Sequence, residues 1–204
     1  MENYNIRMMK RIIQSVILIM GLIGYAQEDI LFSFENSQIT TDGSDNFYEV
    51  DVMMKQTNNT TTESFKLGSG QLYFNYNTAA FGENVNAAGS FSVLIEGNYI
   101  VNQNTDFAIE GFDFKVYNGF VINDNSTSRV SWAFDQNYSS STFADDNITR
   151  TSKALCHLKF KFVNVNADPL VTFENGASFG DQFYTACGSE DGGQLDSADC
   201  SPAY

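Results

Sequence analysis

Cys187 and Cys200 stand 13 residues apart in a polar stretch near the end of the chain. In an exported protein two such thiols read as a disulfide, one that ties the C-terminal residues back to their domain. The third cysteine, Cys156, alternates in phase with Leu158, Phe160 and Phe162 and is expected to face the core as a small hydrophobe. His157, the single histidine, has the opposite phase beside Lys159 and Lys161, and is expected on a wet strand face. One histidine excludes a His-rich metal centre. No Gly-x-Ser-x-Gly motif supplies a nucleophile for it to activate. Carboxylates are plentiful, 25 Asp+Glu in all, so counting does not exclude a glycosidase-type pair. None stands in an apolar context that would raise its pKa into the range of a general acid. The expectation is a protein that is not an enzyme.

Calcium is the cofactor the composition suggests, because hard cations take several oxygen ligands from Asp- and Asn-rich loops. Three loops qualify: one with Asp42 and Asp45, one with Asp145 and Asp146, and one with Asp191, Asp196 and Asp199. None has EF-hand spacing, and the alternative is a set of solvated acidic turns. Among the aromatics, Trp132 is in phase with Val130 and Phe134 and is expected in the core. Tyr73 and Tyr117 have the opposite phase, with Gln71, Asn75, Asp113 and Lys115 beside them. They are expected as outward rings that could meet a ligand, by stacking on a sugar or in a protein contact.

These residues need strands to position them, and period-two alternation runs almost throughout. Ile30, Phe32 and Phe34 form one apolar series; Tyr48, Val50, Val52 and Met54 a second; Leu72, Phe74 and Tyr76 a third. Phe91, Val93 and Ile95 follow, then Phe112, Phe114 and Val116, then Val130, Trp132 and Phe134. Leu158, Phe160 and Phe162, then Val171 and Phe173, complete eight strands, with a ninth at Tyr99–Val101. Each has one face inward and one wet. Clusters of Asn, Asp, Gly, Ser and Thr separate them, as turns require. No stretch carries a helical apolar stripe, and the pattern is that of an all-β antiparallel sandwich or jelly roll.

The balance of 11 Lys+Arg against 25 Asp+Glu, net −14, excludes the cationic footprint of a nucleic-acid binder. Arg7, Lys10 and Arg11 precede an apolar run from Ile12 to Ile23, and Gly24-Tyr25-Ala26 offers small residues for a cut before Gln27. That is the tripartite secretory signal, and the run is too short for the ~20 residues that span a bilayer. Removing residues 1–26 leaves 8 basic and 24 acidic residues, net −16, and no membrane span is expected in the mature chain. The organisation expected is a signal peptide over 1–26, one domain over 27–188, and a polar acidic tail over 189–204. Asp196-Ser197-Ala198 in that tail resembles a short O-glycosylation signal of Bacteroidetes.

The stretch from Phe65 through Leu72-Tyr73-Phe74-Asn75-Tyr76-Asn77, followed by Ala80-Phe81-Gly82, resembles the strand and turn of cohesin-like domains, where an apolar strand ends in a Tyr-Asp or Tyr-Asn step. Tyr48-Glu49-Val50-Asp51-Val52 resembles their early strand. The stretch from Leu155 to Val163, then Leu170-Val171-Thr172-Phe173 and Tyr184-Thr185-Ala186-Cys187-Gly188, resembles the closing part of such modules in surface proteins of Bacteroidetes-type bacteria. The resemblance spans roughly residues 28–188 and implies a jelly-roll β-sandwich like those of cohesins and several carbohydrate-binding modules. The function expected is non-catalytic binding of an extracellular protein, for adhesion or assembly at the cell surface. One alternative is a carbohydrate-binding module whose partner is a polysaccharide. The other is a structural subunit that self-associates into a filament by strand addition at sheet edges.

Overall fold

A computed structural model describes residues 30–56, 64–103, 115–136, 148–174, 183–187 and 200–203. The signal segment 1–26, Phe112 and Phe114, Asp145 and Asp146, and Asp191, Asp196 and Asp199 lie outside the described residues. The elements are β1 (Ile30–Asp42), β2 (Asp45–Gln56), β3 (Ser64–Asn75), a four-residue helix α1 (Thr78–Phe81), β4 (Phe91–Leu94), a 3-10 turn (Ile100–Asn102), β5 (Tyr117–Ser126) and β6 (Arg129–Gln136). They continue with β7 (Ile148–Thr149), β8 (Lys153–Lys161), β9 (Thr172–Phe173), β10 (Phe183–Cys187) and β11 (Cys200–Ala203). One sheet runs β1-β2-β8-β4. The other runs β11-β10-β3-β6-β5, with β7 and β9 also pairing β3. Every pairing is antiparallel, so the expected all-β antiparallel sandwich is what forms.

The alternation read from the sequence builds the core. Val50, Val52 and Met54 of β2, Leu72 and Phe74 of β3, Val130, Trp132 and Phe134 of β6, and Cys156, Leu158 and Phe160 of β8 are all buried. Aromatic rings join the two sheets. Phe34 of β1 stacks on Phe173 of β9 at 4.1 Å and tilts against Phe74 of β3 at 6.1 Å. Phe160 of β8 sits between Phe91 at 4.6 Å, Phe81 at 4.9 Å and Tyr76 at 5.9 Å. Each fully buried ring of this kind contributes about 1.5–3 kcal/mol through removal from water.

Two expectations are corrected. Tyr99–Val101 is no strand: Tyr99 caps the 3-10 turn Ile100–Asn102, whose end is closed by a bond from the Gln103 N–H to the Ile100 carbonyl. Residues 200–203, expected in a tail outside the sheets, form β11 against β10. The phase of β8 also breaks once. Val52 pairs with Cys156 but Met53 pairs with Ala154, so Leu155 is an extra residue in a β-bulge. Leu155 and Cys156 are consequently both buried.

The four sheet edges are short or interrupted. β1 carries an extra residue between Glu35 and Gln38, where Asn36 takes φ 56°; Asn tolerates this left-handed conformation better than most residues. Asp42 and Asp45 close its hairpin to β2 around Gly43, at φ 62°. That is the first central turn position, where a mirror-type hairpin turn takes glycine. β4 has only four residues. β5 is bulged twice, at Asn118/Val121 and Asp124/Ser126. Gly119 in the first bulge has φ 64°, and a Cβ there would lie 2.9 Å from the Asp135 carboxylate. β11 contains Pro202, which has no N–H to give a ladder. No helix among the described residues is long and apolar enough to cross a membrane.

Candidate functional site

β2 and β8 are the central strands of the four-stranded sheet, and the residues out of phase with the core face away from it. Register sets Glu49 opposite Lys159 and Asp51 opposite His157, an acid facing a base at both positions, which is the stabilising cross-strand arrangement. Lys159 Nζ lies 3.1 Å from Glu49 Oε1, and Thr40 of β1 donates to the same oxygen at 2.7 Å. Glu49 Oε2 is 3.3 Å from His157 Nε2. On the other side of the ring, His157 Nδ1 is 2.7 Å from Asp51 Oδ1. Asp51 Oδ1 also accepts from the Tyr99 hydroxyl at 3.2 Å, and Asp51 Oδ2 accepts from Asn36 Nδ2 at 2.8 Å. The bulge that puts Asn36 in its left-handed conformation brings its side chain within reach of Asp51.

His157 is thus not the solvated residue the alternation suggested; it is only 9% exposed. The reason is tertiary. The chain after β4 crosses this face, and the Tyr99 ring lies 6.3 Å from the imidazole. A carboxylate oxygen thus stands at each ring nitrogen. A sequence signal for this cluster did exist. Glu49 and Asp51 on one strand, and His157 and Lys159 on another, are opposite charges in the same out-of-core phase.

Burial alone pushes the Asp51 carboxyl up, but hydrogen bonds from Asn36 and His157, and the His157 charge, outweigh it and hold the group below the usual range. Glu49 behaves alike: burial raises it, while Thr40, Lys159 and His157 together lower it. Burial, and then the negative charge of Asp51, push the Tyr99 phenol up to about 12, so it stays a neutral donor. Cys156 is one residue away but faces the core, where burial raises its thiol well above the ordinary value. It is neither ionised nor within the cluster. All four carboxylate oxygens and both ring nitrogens are engaged, so the arrangement holds strands together and leaves no free base.

A carboxylate whose folded pKa is depressed contributes stability that is present above its unfolded pKa and lost as pH falls through the folded value. The unfolded references are 3.8 for Asp51 and 4.5 for Glu49. Thermal stability should therefore begin to lose this contribution below about pH 4.5. The Glu49→Gln/Asp51→Asn double variant, melted in parallel with the parent from pH 7 to pH 3, should show the shallower acid decline. Equal declines would deny the network its ionised carboxylates.

The two tyrosines expected as outward rings are enclosed. Tyr73 does lie on the outer face of β3, but it is 4% exposed. The Arg129 guanidinium sits over its ring at 5.9 Å and is tied to Glu174 at 3.3 Å, while Gln71 donates to its hydroxyl. Tyr117 is 1% exposed. It meets Phe134 edge-on at 6.0 Å and donates to the Leu67 carbonyl at 2.7 Å. Val116 and Tyr117 are buried in succession, so the alternation that set the expectation fails at the start of β5. Trp132 is in the core as expected. Of the acidic loop residues, Asp42 and Asp45 flank the β1–β2 turn, and Asp45 pairs with Lys161 at 2.7 Å. Among the described residues no group of three or more His, Cys, Asp or Glu side chains is placed to hold a metal ion.

No family model and no curated protein matches the chain. Among solved structures it is similar to a type II cohesin domain from the cellulosome of Acetivibrio cellulolyticus, at 15% identity and a TM-score of 0.44, over 87% of this chain and 94% of that one. It is also similar to a chain in an N-terminal interface mutant of the type II cohesin–X–dockerin complex from Acetivibrio cellulolyticus, at 9% identity and a TM-score of 0.36, over 79% of this chain and 87% of that one.

Proposed function

We propose that this chain is an exported, non-catalytic module that works by binding another protein at the cell surface. The observation that carries the reading is the saturation of the Glu49–His157–Asp51 network. Its carboxylates and imidazole are the groups best suited to acid–base work, and each is committed to a neighbouring strand. The basic-apolar-small pattern of residues 1–26 supports export.

The surface favours a protein over a sugar as the partner. The rings that could have formed a stacking platform, Tyr73, Tyr117 and Trp132, are all enclosed. What the second sheet offers instead is exposed apolar side chains on β5, Phe120 at 36% and Val121 at 48% exposure. Polar residues Asn118, Asn123 and Asp124 stand beside them along β5. Because β5 is doubly bulged, side chains rather than ladder bonds would carry such a contact.

The test uses the exported chain with a photo-crosslinking amino acid at position 121, irradiated on the cells that display it. Discrete adducts with a second protein are expected. Adducts of the chain with itself alone would replace this reading by self-assembly. Adducts with glycan alone, no adduct at all, or hydrolysis of polysaccharide by the purified chain would overturn it.

A further inference from the structure

β10 and β11 pair one-to-one without a shift: Tyr184 with Ala203, Thr185 with Pro202, Ala186 with Ser201, and Cys187 with Cys200. From this juxtaposition we infer that Cys187 and Cys200 form a cross-strand disulfide that retains β11 as the cover of β10's edge. Directly opposed residues of an antiparallel ladder have Cα atoms about 4.5–5.5 Å apart. That lies inside the roughly 4.4–6.8 Å that a disulfide spans. Register matters here, since a slip by one residue would put the two positions on opposite faces of the sheet.

Three further features bear on the role. β11 has four residues, pairs on one side only, and contains Pro202, so its ladder is thin. The connection from Cys187 to Cys200 is 12 residues, against the 2–5 usual for a hairpin, and closing it costs chain entropy. A four-residue strand separated from its partner by 12 residues of chain is held far better by a covalent tie than by its backbone bonds. The remaining thiol offers no rival pairing, because Cys156 is free, buried, and in the other sheet.

The bond forms by thiol–disulfide exchange with a protein or small-molecule disulfide as oxidant. One cysteine, as thiolate, attacks the oxidant's S–S bond and releases one of its thiols. The second cysteine then attacks the mixed disulfide and releases the other. Two protein thiols lose two protons and two electrons, and the oxidant's disulfide becomes two thiols. Reduction reverses this and frees β11, leaving the β11-facing N–H and C=O groups of β10 unpaired.

The experiment uses chain recovered after export into the periplasm or medium. Thiol titration in denaturant without reductant should give one thiol per chain, and non-reducing peptide mapping should join the peptides containing residues 187 and 200. Amide exchange is then followed with and without reductant. Alternate amides of residues 183–187 should exchange at least tenfold faster on reduction, while those of β8 stay unchanged. The Cys200→Ser variant should match the reduced parent. Three thiols per chain, or a bridge that includes Cys156, would overturn the disulfide. Protection at 183–187 that is indifferent to reduction would overturn its role in holding the edge cover.

Discussion

Phe160→Ala should destabilise the fold by about 3–5 kcal/mol, as large-to-small changes at buried aromatic positions do. Phe160 is fully buried on the central strand β8, and its ring meets three others. Phe91 at 4.6 Å comes from β4, Phe81 at 4.9 Å from α1, and Tyr76 at 5.9 Å from the end of β3. Rings arriving from three separate segments cannot close in together on the space left behind, so the cavity persists. In a domain whose total stability is of order 5–15 kcal/mol, that loss lowers the melting temperature by roughly 8–16 °C. Phe120→Ala is the matched control. Its ring also stacks on an aromatic, Trp132 at 6.0 Å, but is partly in solvent, and about 1 kcal/mol is expected. Equal losses from the two changes, read by denaturant melts, would show that the Phe160 cluster is not the centre of the core.

Asp51→Ala should cost about 2–4 kcal/mol, approaching the penalty for breaking a buried ion pair by removing one partner. One carboxylate serves three donors from three parts of the chain: Asn36 on β1, Tyr99 before the 3-10 turn, and His157 on β8. Its loss leaves the imidazole with Glu49 as its remaining acidic partner in the cluster. The effect should depend on the ring. In the His157→Gln background the same Asp51→Ala change should cost less by about 1 kcal/mol or more, the coupling expected of contacting residues. Additive losses in the double-variant cycle would mean that the two groups do not interact, whatever their separation.

The strand interiors were legible because period two is a local property. Val50, Val52, Leu158 and Phe160 needed only their immediate neighbours to declare which way they face. What alternation could not reveal was any event that changes phase or covers a face. Leu155 and Gly119 each add one residue to a strand, and Val116 and Tyr117 are buried in succession. Tyr73 was assigned to the correct face, but Arg129, 56 positions later, comes to lie over its ring. His157 was likewise on the correct face, and Tyr99, 58 positions earlier, came to cover it. Burial of a polar residue on an outward strand face is decided by what crosses that face, and the crossing segment carries no period of its own.

On the proposed reading of an exported module, the interrupted edges have a consequence outside the cell, where ATP-driven disaggregation is absent and local concentrations can be high. Open-ended fibre growth needs a long, flat, unbroken row of backbone groups as its template. Here the long candidates, β1 and β5, are broken by bulges, and the remaining two, β4 and β11, offer four residues each, one row containing a proline. The sandwich can therefore be crowded onto a surface without seeding its own precipitation. The weak point in that defence is β10, a regular strand shielded only while β11 stays in place.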